Sequence, residues 1–173
     1  MAAQSSTNAL DVAEAAAREA AEILRAECRR PGGPRGPRGH SPADEEAERL
    51  IRHRLETAFS EWGYLGEETG ERGGDDGNVW IVDPNDGTTA MQDGYRGHAV
   101  SIALLRDRVP VLGVVLAVNA TDDGGHLFSW EEGAGPLTRN GVPVGSLARV
   151  TELRRDDVVM VSHAADQTSG REP

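Results

Sequence analysis

Several residue types are scarce or absent in this 173-residue chain. Lysine does not occur, so all 18 basic residues are arginine, which indicates a coding bias more than a mechanism. The single cysteine, Cys28, excludes an internal disulfide and is typical of a reducing compartment. Acidic residues outnumber basic ones, and the net charge of -11 argues against nucleic acid as a main partner.

Long apolar runs are missing as well. The Ala-rich N-terminus is interrupted every few residues by a charged side chain, so it predicts neither a membrane span nor a secretory segment. We therefore expect a cytoplasmic protein without a membrane partner. Aromatic residues make up only 4%, but a hydrophobic content of 38% predicts one globular domain over residues 1–173.

Two amphipathic helices are predicted at the start of the chain. The first runs from about Thr7 to Arg29, with apolar residues at helical spacing. The second begins at Ser41-Pro42, where Ser41 is a suitable N-cap, and its apolar face carries Ala47, Leu50, Ile51, Leu55 and Phe59. Between them, residues 30–40 are rich in Pro, Gly and Arg and predict a flexible loop.

From Trp62 onward, short apolar runs bounded by turns predict strands. The first clear strand is Trp80–Val82, which Pro84 and Gly87 are expected to end. Later strands are predicted at 99–105, 109–118, 126–130 and 158–161, with turns at 106–108, 122–125 and 140–141. Helices followed by hairpins indicate an α+β fold, two helices packed on a largely antiparallel sheet. Residues 163–173 form a polar tail without periodicity.

The acidic turn after the first strand is the most informative segment. Asp83 and Asp86 directly follow Trp80–Val82, and the backbone carbonyl of Asn85 lies between them. Hard oxygen ligands spaced this closely suit Mg²⁺, which binds oxygen at about 2.0–2.1 Å. A bound metal would also let an acidic protein accept an anionic phosphate. The segment therefore predicts a magnesium site for phosphate chemistry.

The acidic residues also have structural interpretations. Asp83 and Asp86 could belong to an ordinary Asx turn, and Glu67 could be a solvated turn residue. Asp44 stands at capping-box spacing from Ser41 and could cap the second helix, which is compatible with a metal role.

Other candidates are weaker or excluded. His98 could be a packed or surface imidazole. Four arginines could either attract an anionic substrate or belong to a solvated loop: Arg29, Arg30, Arg35 and Arg38. An EF-hand loop is excluded because Gly87 stands at a ligand position and Gly94 replaces the closing glutamate.

Three segments together resemble the N-terminal part of the inositol monophosphatase family: Gly66-Glu67-Glu68, the run from Trp80 to Thr89, and the run from Ala99 to Ala103. Residues 133–141 look like the family's Gly-rich strand and Asn-Gly turn. The resemblance implies the N-terminal half of a layered αβαβα sugar-phosphatase fold. It also implies Mg²⁺-dependent hydrolysis of a small phosphorylated metabolite, and we expect a homodimer.

The resemblance assigns the metal ligands by position. Glu67, Asp83 and the carbonyl of Asn85 would hold a first metal, and Asp83 with Asp86 would hold a second. Asp44 stands where the family keeps another acidic residue and would help to place an outer metal or its water.

The resemblance also assigns the chemistry. Glu67 and Thr88 would orient and deprotonate the attacking water, and the backbone amides of Gly87 and Thr88 would face the phosphate. Glycine at position 87 would let the backbone approach the phosphate closely. Most of the catalysis would then be positioning and charge stabilisation.

The chain departs from the family pattern at three positions and in length. Asn85 replaces an aliphatic residue, Met91 an aromatic one, and Asp93 a basic or polar one, so the phosphate monoester is left unspecified. The family's further half, with a Trp-Asp motif that supplies another aspartate to the second metal, has no match here.

We therefore expect a piece of a phosphatase, or a shortened relative, with apolar sheet surface exposed. The alternatives are a non-catalytic metal- or phosphate-binding relative that pairs with another subunit, and a purely structural acidic domain.

Overall fold

The computed structural model describes residues 8–74, 77–119 and 125–145. The helices are α1 (Ala9–Cys28), α2 (Pro42–Ala58) and the short α3 (Thr88–Gln92). The strands are β1 (Gly63–Gly66), β2 (Gly70–Arg72), β3 (Asn78–Asp86), β4 (Ala99–Arg106), β5 (Val109–Ala117), β6 (His126–Glu131), β7 (Thr138–Arg139) and β8 (Val142–Pro143). The predictions for Thr7, the turn residues 122–124, the strand 158–161 and the tail 163–173 lie outside the described residues.

α1 forms because alanine dominates its buried face. Ala has the highest intrinsic helix propensity, and the side chains of Ala13, Ala17 and Ala20 are fully buried. The Asn8 side chain accepts a hydrogen bond from the amide of Leu10 at 3.1 Å and caps the helix. Within the described residues, no helix combines the length and the apolar character that crossing a bilayer requires.

α2 starts at the predicted position for the predicted reason. Ser41 and Asp44 form a reciprocal capping box, and Pro42 occupies the first helical turn. Ala47, Ile51 and Leu55 are fully buried, so the apolar face lies in the core as expected. α1 and α2 pack against each other, α1 also covers β4, β5 and β6, and α2 covers β3.

The strands form one sheet in the order β2-β1-β3-β4-β5-β6-β7-β8. All neighbouring pairs are antiparallel except β1 and β3, which are parallel. The β4–β5 hairpin is confirmed, and its turn residues Asp107 and Arg108 both have positive φ angles, as a type I′ turn requires. The α+β prediction with a largely antiparallel sheet is therefore correct.

Pro84 does not end β3, contrary to the expectation from the sequence. The strand continues to Asp86, which pairs with Ala99, and the register shifts between Asp83 and Asp86. A bulge tolerates proline because the extra residue is left out of the hydrogen-bond ladder. The sequence also gave no sign of β2, which lies in a polar loop, or of the short helix α3.

One face of the sheet is buried under the helices and the other is open. In β5, Val114 and Leu116 lie beneath the helices, whereas Val115 between them is 41% exposed. Leu65 of β1 is 44% exposed. Apolar surface is thus exposed on the sheet, as expected.

Residues 30–40 contain neither helix nor strand in the structure, and several of their polar groups are paired. Arg35 forms a bidentate ion pair with the buried Glu27, and Arg38 forms one with Asp93. The Gln92 side chain bonds to backbone groups of Gly39 and Pro37. Two of the arginines considered for attracting a substrate therefore already have acidic partners.

Candidate active site

The parallel pairing of β1 and β3 brings Glu67 next to Asp83. Gly66 is level with Val82, and the amide of Glu67 donates a hydrogen bond to the carbonyl of Val82 at 3.2 Å. Continuing this register by one residue places Glu67 level with Asp83, where the regular ladder of β3 ends at the register shift. Two acids that are 16 positions apart in the chain therefore become neighbours.

The electrostatics of Asp83 reflect this crowding. Burial raises the pKa of the Asp83 carboxyl to about 7, and the negative charges of Glu67 and Asp86 act in the same direction. The amide of Asn85 donates to Asp83 Oδ1 at 2.9 Å, which partly opposes the rise in pKa. An Asx turn is thus present here, as the structural interpretation predicted, within the acidic cluster.

Asp44 lies beneath the end of β3 and accepts hydrogen bonds on both carboxylate oxygens. The Ser41 amide and the Thr88 hydroxyl each donate to Oδ2 at 3.0 Å, and the side-chain amide of Asn85 donates to Oδ1 at 2.8 Å. Asp44 is only 1% exposed. The same carboxylate therefore caps α2 and orients Thr88.

Glu48 is a site residue that the sequence interpretation missed. It is fully buried, and its carboxylate accepts hydrogen bonds from the amides of Glu68 (2.7 Å) and Thr69 (2.9 Å) and from the Thr69 hydroxyl. These bonds hold the turn that carries Glu67. A Cβ at Gly66 would collide with this carboxylate, so glycine is required there. The available signal was a glutamate on the apolar stripe of α2, four positions after Asp44.

The backbone itself requires glycine at position 87, apart from the predicted approach to a phosphate. Its φ angle is +101°, in the region that favours glycine. A Cβ would also lie 2.6 Å from the carbonyl oxygen of Gly97. The turn from β3 into α3 therefore requires glycine whether or not a phosphate binds there.

The donor set at the end of β3 fits a hard divalent cation. Glu67, Asp83 and Asp86 supply carboxylates. The carbonyl oxygen of Asn85 lies 3.1 Å from the Thr88 hydroxyl, whose single proton can point either to it or to Asp44, and it keeps a lone pair for a cation. A cation would also offset the repulsion that helps to raise the pKa of Asp83. These are oxygen ligands of the kind that divalent metals bind.

A second group of possible ligands lies beside the first. Within the described part of the chain, the ligand atoms of His40, Asp44 and Glu68 all lie within 4.8 Å of one another, whereas Glu67, Asp83 and Asp86 do not form so tight a group. His40 Nδ1 is 3.5 Å from a carboxylate oxygen of Glu68, and burial raises the pKa of Glu68. Asp44 belongs to this group, but both of its oxygens already accept hydrogen bonds.

A cavity of about 610 Å³ is lined by residues from the end of α1, from α3 and from the segment that follows α3. Its walls include Cys28, Met91, Gln92 and Asn119. The predicted site residues do not line it. The position of this cavity therefore does not coincide with the predicted site.

Comparisons with known proteins identify the family of this chain. The model of the inositol monophosphatase family matches residues 6–168. The inositol-1-monophosphatase of Rhizobium meliloti is 45% identical over 96 residues, which are 55% of this chain and 35% of that protein. The histidinol-phosphatase of Chlorobaculum parvum is 37% identical over 102 residues, 59% of this chain and 38% of that protein.

A solved structure gives the same result for the fold. The extragenic suppressor protein suhB from Bartonella henselae has a TM-score of 0.71 and 32% identity, covering 80% of this chain and 54% of that one. The chain thus spans about half the length of this structure, and its alignments span about a third of the two curated relatives. Because the family model matches nearly the whole chain, the protein belongs to the inositol monophosphatase family.

Proposed function

We propose that the chain carries the water-activating part of a metal-dependent phosphomonoesterase site. The observation that supports this most is the proximity of Glu67 and Asp83, just past the last paired residues of β1 and β3. Asn85 and Thr88 follow at the same end of β3, and the Thr88 hydroxyl donates to the buried Asp44. Family membership makes phosphate-ester hydrolysis the corresponding reaction.

Glu67, Asp83, Asp86 and the carbonyl of Asn85 would hold Mg²⁺. When bound, the metal supplies positive charge that neutralises the phosphate and lowers the pKa of water. Asp83 is half-buried and Glu67 is exposed, so the pair lies at the border between protein and solvent. Asp44 would act through Thr88 instead of directly on a metal, because its oxygens are already hydrogen-bonded.

Thr88 and Glu67 would orient the attacking water. The Thr88 hydroxyl has one proton, which it can donate to Asp44, so its oxygen is left to accept a hydrogen bond from the water. Glu67 would act as the base that removes the other proton of that water, the one that does not point to Thr88. The amides of Gly87 and Thr88, at the start of α3, would contact the phosphate oxygens.

We propose a small phosphate monoester as the substrate. One relative is named an inositol-1-monophosphatase and another a histidinol-phosphatase, so the family tolerates different alcohols. Asp93 departs from the family pattern, but Arg38 pairs with it at 2.9 Å and compensates its charge. A homodimer in the cytoplasm completes the proposal, and sedimentation velocity tests the dimer.

Calorimetry and a colorimetric assay test the function. We expect the purified chain to bind Mg²⁺ and to hydrolyse p-nitrophenyl phosphate slowly. Asp83→Asn should abolish both, because it removes the carboxylate shared by the two proposed metal positions. Asp107→Asn is the matched control: it makes the same change in the exposed β4–β5 turn, where asparagine is favoured.

Each outcome decides between the candidates. Binding and turnover that depend on Asp83 but not on Asp107 would support the phosphatase. Metal binding without turnover would instead favour the non-catalytic relative, which is the second candidate because the chain spans only part of its relatives. Absence of metal binding would remove both.

A further inference from the structure

Two buried polar side chains, Asn85 and His98, are hydrogen-bonded to each other behind the site. Asn85 is 3% exposed and His98 is 2% exposed. His98 Nδ1 and Asn85 Oδ1 are 2.9 Å apart, and the other end of the Asn85 amide donates to Asp44 at 2.8 Å. Asn85 therefore connects the imidazole to the carboxylate that orients Thr88.

The hydrogen-bond partners define the tautomer of His98. The Asn85 amide nitrogen faces a carboxylate, so its oxygen faces His98, and His98 Nδ1 must carry the proton. On the other side of the ring, Nε2 lies 3.0 Å from the Asn119 side-chain nitrogen, which can donate to it. The Cys28 sulfur lies farther from Nε2, at 3.9 Å. Burial lowers the pKa of His98 to about 4, and this agrees with a neutral ring.

We propose that Asn119, His98 and Asn85 form a positioning relay that holds Asp44 and Thr88 in the orientation needed to align the attacking water. The inference rests on the proposed function and adds positioning residues to it. Each member donates to the next: Asn119 to His98, His98 to Asn85, and Asn85 to Asp44. Thr88 then donates to the other oxygen of Asp44 at 3.0 Å.

Simple packing does not explain this arrangement. The Asn85 position in the family pattern is aliphatic, and an apolar pair would fill the same space without buried polar groups. A buried amide and imidazole are tolerated only when their hydrogen bonds are made. The Asn85 side chain makes such bonds in both directions, to His98 and to Asp44, and also lies 3.3 Å from the Thr88 hydroxyl. The orientation of the Asn85 side chain thus directly affects that of the Thr88 hydroxyl.

Nuclear magnetic resonance tests the relay without any turnover. In the metal-free chain, ¹⁵N spectra of the imidazole should show His98 protonated at Nδ1 and unprotonated at Nε2. The three-bond couplings of the Thr88 γ-methyl should report one side-chain rotamer. A proton on Nε2 in the native chain would overturn the proposal before any variant is made.

The double variant Asn85→Leu/His98→Phe replaces the amide and the imidazole together, so that neither is left buried without the other, and it removes the bond that Asp44 Oδ1 receives. We expect it to fold, with averaged Thr88 couplings. If this variant does not fold, Asn119→Ala, at the edge of the cavity, should still mix the His98 tautomers and average the Thr88 couplings. A single Thr88 rotamer in the folded variant would overturn the relay.

Kinetics provide the second measurement, with Ser129→Ala as control. Ser129 is a buried residue whose hydroxyl bonds to Thr138 at 3.0 Å on β6 and β7, so its loss affects stability away from the site. In the double variant, kcat should fall about 10-fold, the size of effect seen for outer-shell partners, with KM nearly unchanged. The control should keep kcat. An unchanged kcat in the double variant would refute the relay. An inactive native chain would refute the proposed function, and the nuclear magnetic resonance spectra would then decide whether the relay exists.

Discussion

Replacing Glu48 by glutamine tests whether a buried carboxylate in α2 holds the turn that carries Glu67. In the native chain, Glu48 accepts bonds from the amides of Glu68 and Thr69 and from the Thr69 hydroxyl. Glutamine has nearly the same shape but only one acceptor oxygen. The side-chain NH₂ of glutamine would therefore face a backbone N–H group, and that N–H group would lose its hydrogen-bond acceptor.

The expected cost follows from the loss of one charge-assisted hydrogen bond. Such a bond contributes about 1.5–3 kcal/mol, so the free energy of unfolding should fall by about 2 kcal/mol. For a chain of this size, each 1 kcal/mol corresponds to about 2–4 °C in Tm, which predicts a fall of about 4–8 °C. Displacement of Glu67 should also weaken Mg²⁺ binding by about 10-fold.

Urea unfolding and Mg²⁺ calorimetry measure these two effects. Glu46→Gln is the matched control, because Glu46 lies on the exposed side of the same helix. It should change the free energy of unfolding by less than about 0.5 kcal/mol. If Glu48→Gln were as stable as this control, or lost stability without any loss of metal affinity, Glu48 would not be holding the Glu67 turn.

Two further predictions concern stability. Gly87→Ala should lower the free energy of unfolding more than Gly94→Ala. Both glycines have positive φ, so the backbone strain alone should cost about 1–2 kcal/mol at either position, but only a Cβ at 87 would collide with the Gly97 carbonyl. Equal losses of stability in thermal unfolding would contradict the collision. The pKa of His98 is lowered from 6.5 to about 4 by burial and by Arg25, so the unfolded chain binds the proton more readily. The free energy of unfolding should therefore fall by about 3 kcal/mol in total as the pH drops from 6.5 to about 4, and should level off below that pH. In urea unfolding, His98→Gln should remove this part of the pH dependence.

Local signals in the sequence were sufficient for much of the fold. The capping box at Ser41 and the turn at Asn140-Gly141 each depend on residues within a few positions of one another, and both are present as predicted. Apolar periodicity likewise located α1, α2 and the β4–β5 hairpin. Such features follow from steric preferences and from hydrogen bonds between near neighbours, which a short window of sequence contains.

Signals that depend on a distant partner were missed or misinterpreted. Pro84 was expected to end its strand, but the pairing of Asp86 with Ala99 continues β3 through a bulge. Polar residues made β2 look like a loop, although it pairs with β1. Glu48 was not identified from the sequence, because the amide of Glu68 that it binds lies in a turn 20 positions later.

The sequence alone determined the order of α1, α2 and the strands β3 to β6. It also determined the residue types of the site, which are acids, a hydroxyl and a glycine near a strand end, in a pattern that identifies the family. Only the tertiary structure decided which of them meet. Parallel pairing of β1 and β3 joins Glu67 to Asp83, and the packing of α2 beneath β3 places Asp44 against Thr88. These contacts link residues far apart in the chain and form when the core assembles, so no local preference encodes them.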